Sequence, residues 1–111
     1  MTEHKILSYI GLATKSGKIV SGEFSTEKAV KERKAKLVII SKNASENTTK
    51  KFTDMCRYHK TKYFIFGDKD QLGHAMGKGA RAMLALVDEG LAAAIEKQFL
   101  IGGNIDGKNE N

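Results

Sequence analysis

Several short stretches of this chain carry residue types whose spacing suggests chemistry. Gly11-Leu12-Ala13-Thr14-Lys15-Ser16-Gly17-Lys18 has the glycines and lysine of a phosphate-cradling loop. It places five residues between its glycines where that loop needs four, and Ile19 stands where a magnesium-binding hydroxyl belongs. Gly77-Lys78-Gly79-Ala80-Arg81-Ala82 fits the dinucleotide pattern by letters. An apolar run suited to a strand follows it, so no helix N-terminus would meet a pyrophosphate. Cys56 and His59, three apart on a helical pattern, share a face within reach of a metal ion, but two ligands do not make a zinc site and the chain has no other cysteine. As a nucleophile Cys56 is badly placed, in mid-helix on an apolar stripe. The acidic residues Asp54, Asp68, Asp70, Asp88 and Glu89 fall at caps or on helix surfaces, so no catalytic constellation emerges.

Two glycine-containing connections remain. Ser21-Gly22-Glu23-Phe24-Ser25-Thr26-Glu27-Lys28 runs from a strand end into a helix start, where unpaired N–H groups and the positive end of the helix dipole suit a phosphate or a base edge. Lys28 is expected in the first turn, directed to the same place. Gly77-Lys78-Gly79-Ala80-Arg81 joins a helix to the last strand; its glycines allow close backbone approach, and Lys78 and Arg81 supply charge. Each connection taken alone also reads as a turn with solvated charges.

The elements that must position these connections follow from hydrophobic period. Residues 3–15 form a helical pattern with Ile6, Ile10 and Ala13 on one stripe, and Ile19-Val20 is a short extended piece. Residues 25–34 read as a helix, with Ser25 as N-cap and Phe24 able to staple to Ala29. Ser45 opens a helix whose inner stripe is Thr48, Phe52, Met55, Cys56 and His59. Asp68 and Gln71 have capping-box spacing ahead of Leu72, Ala75 and Met76, and Asp88 caps a last helix with Ala92, Ile95 and Phe99 on one stripe. Leu37–Ile40, Tyr63–Phe66 and Met83–Val87 are continuous apolar runs, as strands buried on both faces require. This alternation predicts an α/β fold, a three-layer α-β-α sandwich around a four-stranded mixed, mostly parallel sheet. One domain is expected over residues 1–101, followed by a flexible tail over 102–111.

The 111 residues have ordinary globular composition, 41% hydrophobic and 29% charged. Net charge is +6, with pI near 9.5. The basic excess is uneven: residues 1–60 hold thirteen bases and six acids, residues 61–111 six and seven. A basic excess on one part of a small domain is the footprint of a polyanion binder, although a generally basic protein would show it too. No run reaches the ~18 apolar residues of a membrane span, and the N-terminal segment has no signal-peptide core, so a cytoplasmic location is expected.

Leu72-Gly73-His74-Ala75-Met76-Gly77-Lys78 resembles the L-G-x-A-x-G signature of the kink-turn-binding ribosomal proteins, the L-seven-Ae and L-thirty-e superfamily. Gly22 followed six residues later by Lys28 and Ala29-Val30, the Ala35–Ile40 strand, and Met55-Cys56 on the next helix also resemble that family, in order over about residues 5–100. Gly11-Leu12-Ala13 and Val20-Ser21-Gly22-Glu23 are most similar to its bacterial stand-alone, YlxQ-like branch. The resemblance implies a non-catalytic protein, without cofactor or metal, that binds structured RNA at a kink-turn. Gly22, Glu23, Phe24, Ser25 and Lys28 would face tandem G·A pairs, and Lys78, Gly79 and Arg81 would close over an extruded base. The family's Asn-Glu pair falls here on Phe24-Ser25; phenylalanine cannot make those hydrogen bonds but can stack on an unpaired base. Lys78-Gly79-Ala80-Arg81 replaces often aliphatic positions and favours phosphate contact. The expected partner is structured RNA, with the ribosome a candidate, bound by a monomer that has no membrane association. A protein-interaction module of the translation or transcription machinery, with weak RNA affinity, is the competing expectation.

Overall fold

A computed structural model of the protein describes residues 2–102. The elements are α1 (Thr2–Lys15), β1 (Ile19–Ser21), α2 (Glu23–Lys31), β2 (Leu37–Ile40), α3 (Glu46–His59), β3 (Tyr63–Ile65), α4 (Lys69–Ala75), β4 (Met83–Leu86) and α5 (Glu89–Ile101). The strands form one sheet in the order β1-β4-β2-β3. Because successive side chains in a strand point to opposite faces, each apolar run feeds two cores. Leu37, Ile39, Leu84 and Leu86 pack with Ile6, Ile10, Leu72, Ile95 and Phe99 beneath α1, α4 and α5. Val38, Ile40, Met83 and Ala85 pack with Val30, Phe52 and Cys56 beneath α2 and α3. The α-β-α layering is thus as expected.

The sheet is mixed, and its strand order adds detail that apolar runs do not carry. The β2–β3 ladder is parallel, whereas β4 pairs antiparallel with both β1 and β2. Three strands share a direction, yet the reversed one lies between β1 and β2, so two of the three ladders are antiparallel. A continuous apolar run reports burial on both faces; it does not report the direction of the neighbouring strand.

Local capping follows the sequence at three helices. Ser45 accepts from the Thr48 amide, Asp68 and Gln71 complete a capping box, and Asp88 accepts from the Leu91 amide. The start of α2 differs from expectation. Its N-cap is Gly22, not Ser25, and the helix spans Glu23–Lys31 instead of residues 25–34. Gly22 has φ 88° and ψ 165°, a conformation essentially restricted to glycine. Its amide donates to Met83 O at 3.1 Å, and its carbonyl accepts from the Thr26 amide at 3.0 Å. One residue therefore ends the β1–β4 ladder and begins the helix, leaving Ser25 inside the first turn. The expected tail falls, past Gly102, outside the described residues.

Cys56 is fully buried, and burial pushes its thiol up to about 12. The expected result is that a thiol reagent at neutral pH modifies it only as fast as the protein opens, while urea-unfolded chain reacts at once. Rapid labelling of the native protein would contradict this placement.

Candidate functional site

The two glycine connections meet at one edge of the sheet. Ser21 pairs with Leu84 at the end of the β1–β4 ladder, which sets Gly22 beside the residues that lead into β4. Arg81 fastens the edge: its Nε donates to Ser21 Oγ at 3.0 Å, and its Nη1 donates to the carbonyls of Gly79 and Ala80 at 3.2 and 3.0 Å. Its own amide donates to Lys69 O at 3.0 Å. Arg81 is therefore a clamp as well as a charge. A guanidinium has five N–H donors, and these bonds engage Nε and Nη1, so Nη2 keeps its hydrogens for an incoming acceptor.

The loop ahead of Arg81 is shaped by two glycines of the motif. Gly77 has φ 69° and allows the chain to leave α4; its amide donates to His74 O, and the Lys78 amide donates to Gly73 O at 2.8 Å. Gly73 is buried in α4 with the loop against it: a Cβ there would lie 2.0 Å from Gly79 O. Lys78 and Gly79 stand exposed at the tip, and nothing lies within 4 Å of where a Gly79 Cβ would be.

On α2, Phe24 is 80% exposed, so the staple to Ala29 is not made. Phe24 and Lys28, one turn apart, line a groove of about 330 Å³ with Val20, Ser25 and Val87. Lys28 is not in the first turn, as expected from a helix starting after Ser25, but in the last. It lies roughly 9 Å along the axis from Gly22, so it extends the site along α2 while Arg81 sits at the glycine itself. Glu23 turns away toward α3, where its carboxylate accepts from Lys51 Nζ at 3.0 Å. Glu27 pairs with Lys31 at 2.7 Å and with Lys51 at 3.0 Å. These hydrogen-bonded lysines hold the Glu27 carboxyl below the usual carboxylate range. The acids of α2 are thus neutralised by Lys31 and Lys51, and Lys28 makes no ion pair among the described residues.

Ser21 and Gly73 complete the site and were not among the residues expected to form it. Both had a signal: Ser21 precedes the capping glycine, and Gly73 is the first glycine of the L-G-x-A-x-G run. Asn43 supports the same edge, its Oδ1 accepting from the Lys69 amide at 3.0 Å. Nothing in its local sequence indicates that bond.

An α-β-α sandwich with a glycine-capped helix beside a glycine-rich, basic loop defines a recognisable class. The profile of the ribosomal protein L7Ae/L30e/S12e/Gadd45 family matches residues 4–96, and the chain belongs to that family. Among its relatives is the RNA-binding protein YlxQ of Bacillus subtilis (strain 168), 42% identical over 83 residues, which are 75% of this chain and 83% of the relative. A protein of unknown function from Bacillus halodurans C superposes with a TM-score of 0.82 at 32% identity, covering 85% of this chain and 95% of that one. The Giardia lamblia 15.5kD RNA binding protein shares the fold, with a TM-score of 0.74 at 20% identity over 87% of this chain and 83% of that one.

Proposed function

We propose that this is a non-catalytic, cytoplasmic RNA-binding protein that recognises structured RNA of the kink-turn kind, through the edge built by Gly22, Glu23, Phe24, Ser25, Lys28, Lys78, Gly79 and Arg81. The observation that carries the proposal is the convergence of the Gly22 helix start and the Gly77–Arg81 loop, tied by the Arg81–Ser21 bond. Family membership and a relative named as an RNA-binding protein support it. Helix amides at Glu23 and Phe24 offer donors to a phosphate or base edge, Lys28 and Lys78 offer unpaired charge, and Phe24 offers an aromatic face. Phe24-Ser25 lacks the amide and carboxylate that would hydrogen-bond G·A edges, so this face reads its RNA more by stacking and phosphate contact. A monomer suffices for this geometry.

The test is binding of a kink-turn RNA and of the same RNA with its tandem G·A pairs replaced by Watson–Crick pairs, each over a range of salt. Tighter, steeply salt-dependent binding of the first is expected; equal affinity for both would remove kink-turn recognition. Lys28→Ala is expected to lower the salt slope by about one phosphate equivalent with a native thermal transition. Arg81→Ala should weaken binding further, because it also frees the loop from Ser21. Wild-type affinity in both variants would dismiss this edge as the site. An interaction module for a protein of the translation or transcription machinery is the second reading, favoured by the exposure of Phe24.

A further inference from the structure

The opposite end of the sheet carries a second basic concavity. Ile40 pairs with Met83 and Ile65 at the edge that includes Gly22 and Arg81, while Leu37 pairs with Leu86 at the other end. That far end, roughly 10 Å away along a four-residue strand, opens into a cleft of about 350 Å³ where β2 and β3 begin. Arg33, Lys36, Lys60 and Lys62 line it, with Glu89 and Glu96 on the α5 side. Glu96 holds Lys62 at 2.9 Å. Arg33, Lys36 and Lys60 are exposed and make no ion pair among the described residues.

Two of these cations occupy backbone positions that favour glycine. Arg33 and Lys60 have φ of 60° and 59°, and they are the non-glycine residues with positive φ among the described residues. A left-handed residue is a common way to end a helix, but glycine adopts it without the steric cost a side chain brings. Both α2 and α3 end close to such a residue, and both residues extend a long cation into the same cleft. His59 lines the same cleft, its Nδ1 shielded from solvent and without a hydrogen-bond partner among the described residues. The negative end of each helix dipole favours a cation at its C-terminus, and a shared anionic ligand adds a reason for both to line one cleft. The cleft is lined by more base than acid, and its cations come from two separate segments, 33–36 and 60–62, which suits a chain of phosphates crossing it.

We infer that this cleft is a second contact for the phosphodiester backbone of RNA, so that the protein holds RNA at both ends of its sheet. The inference rests on the RNA-binding reading above but not on kink-turn recognition. The experiment compares wild type, the double variant Arg33→Gly with Lys60→Gly, and the charge-keeping double variant Arg33→Lys with Lys60→Arg. The probes are a plain A-form RNA duplex, a kink-turn RNA with long stems, and adenosine monophosphate.

The glycine variant removes two cations while relaxing the backbone, so its melting temperature should equal or exceed that of wild type. Its affinity for the plain duplex should fall about tenfold at moderate salt, with a slope lower by about two phosphate equivalents. The charge-keeping variant should bind as wild type does. Wild-type affinity and slope in the glycine variant would overturn the inference. So would saturable binding of adenosine monophosphate at the cleft without any effect of the variants on RNA, which would make it a small-molecule phosphate site. Failure of the wild-type protein to bind either RNA would overturn this inference together with the RNA-binding reading. Equal affinity for kink-turn and plain duplex would remove kink-turn specificity alone, leaving the cleft to be decided by the glycine variant.

Discussion

Gly73→Ala is expected to destabilise the protein by about 3 kcal/mol or more, the upper range for forcing atoms into a packed site. The added Cβ would meet backbone: 2.0 Å from Gly79 O, 2.6 Å from Gly79 C and 3.1 Å from the Ala80 Cα. A flexible side chain would swing aside, but here the 77–81 loop itself must move. That movement would strain the bonds from Arg81 to Ser21, Gly79 and Ala80, so RNA affinity should fall even in the fraction that remains folded. Urea unfolding with a lower midpoint and an unchanged slope would report the stability loss. Gly79→Ala, in the same motif, is the control. Its Cβ would enter open space, so stability should stay within about 0.5 kcal/mol of wild type. If RNA backbone approaches the loop closely at Gly79, that variant should still bind more weakly. Equal stability of the Gly73→Ala and wild-type proteins would show that the loop yields freely and that α4 does not shape the site.

The second large effect is expected at Phe24. An aromatic ring 80% exposed beside a helix start contributes little to the fold, and alanine is a better helix former. Phe24→Ala should therefore melt at or slightly above the wild-type temperature. If the ring stacks on a splayed base, affinity should fall by about one to two orders of magnitude, the equivalent of ~1–3 kcal/mol. Fluorescence anisotropy against a kink-turn RNA, with a thermal melt of the same sample, reads both quantities. Native stability with unchanged RNA affinity would assign Phe24 to a protein partner instead. Phe24→Asn with Ser25→Glu adds a complementary measure: a gain in kink-turn affinity would mean that the face still addresses G·A edges, and no gain would mean that it has moved to another target.

Much of the framework was legible because its signals are local. The runs Leu37–Ile40 and Met83–Leu86 are apolar without interruption since helices cover both faces of the sheet. Ser45, Asp68 and Asp88 announce helix starts because each side chain bonds an amide three residues on. Cys56 falls in the core since its helical stripe does. The start of α2 was misplaced because two capping signals compete there. Ser25 has the usual side chain, but Gly22 has the backbone freedom to turn from β1 into a helix, and its amide is claimed by Met83, 61 residues away.

What the amino-acid order determined by itself is therefore the set of helices and strands, which residues each buries, and the two glycine connections that carry basic residues. Those properties depend on neighbours within about one helical turn or two strand residues, so a pattern reader can recover them. Only the tertiary structure decided that β4 runs backwards between β1 and β2, that Arg81 reaches Ser21, and that Arg33 and Lys60 share a cleft. These pairings join residues tens of positions apart, and each is chosen by the packing of the whole sheet between its two helical layers, which no local stretch encodes.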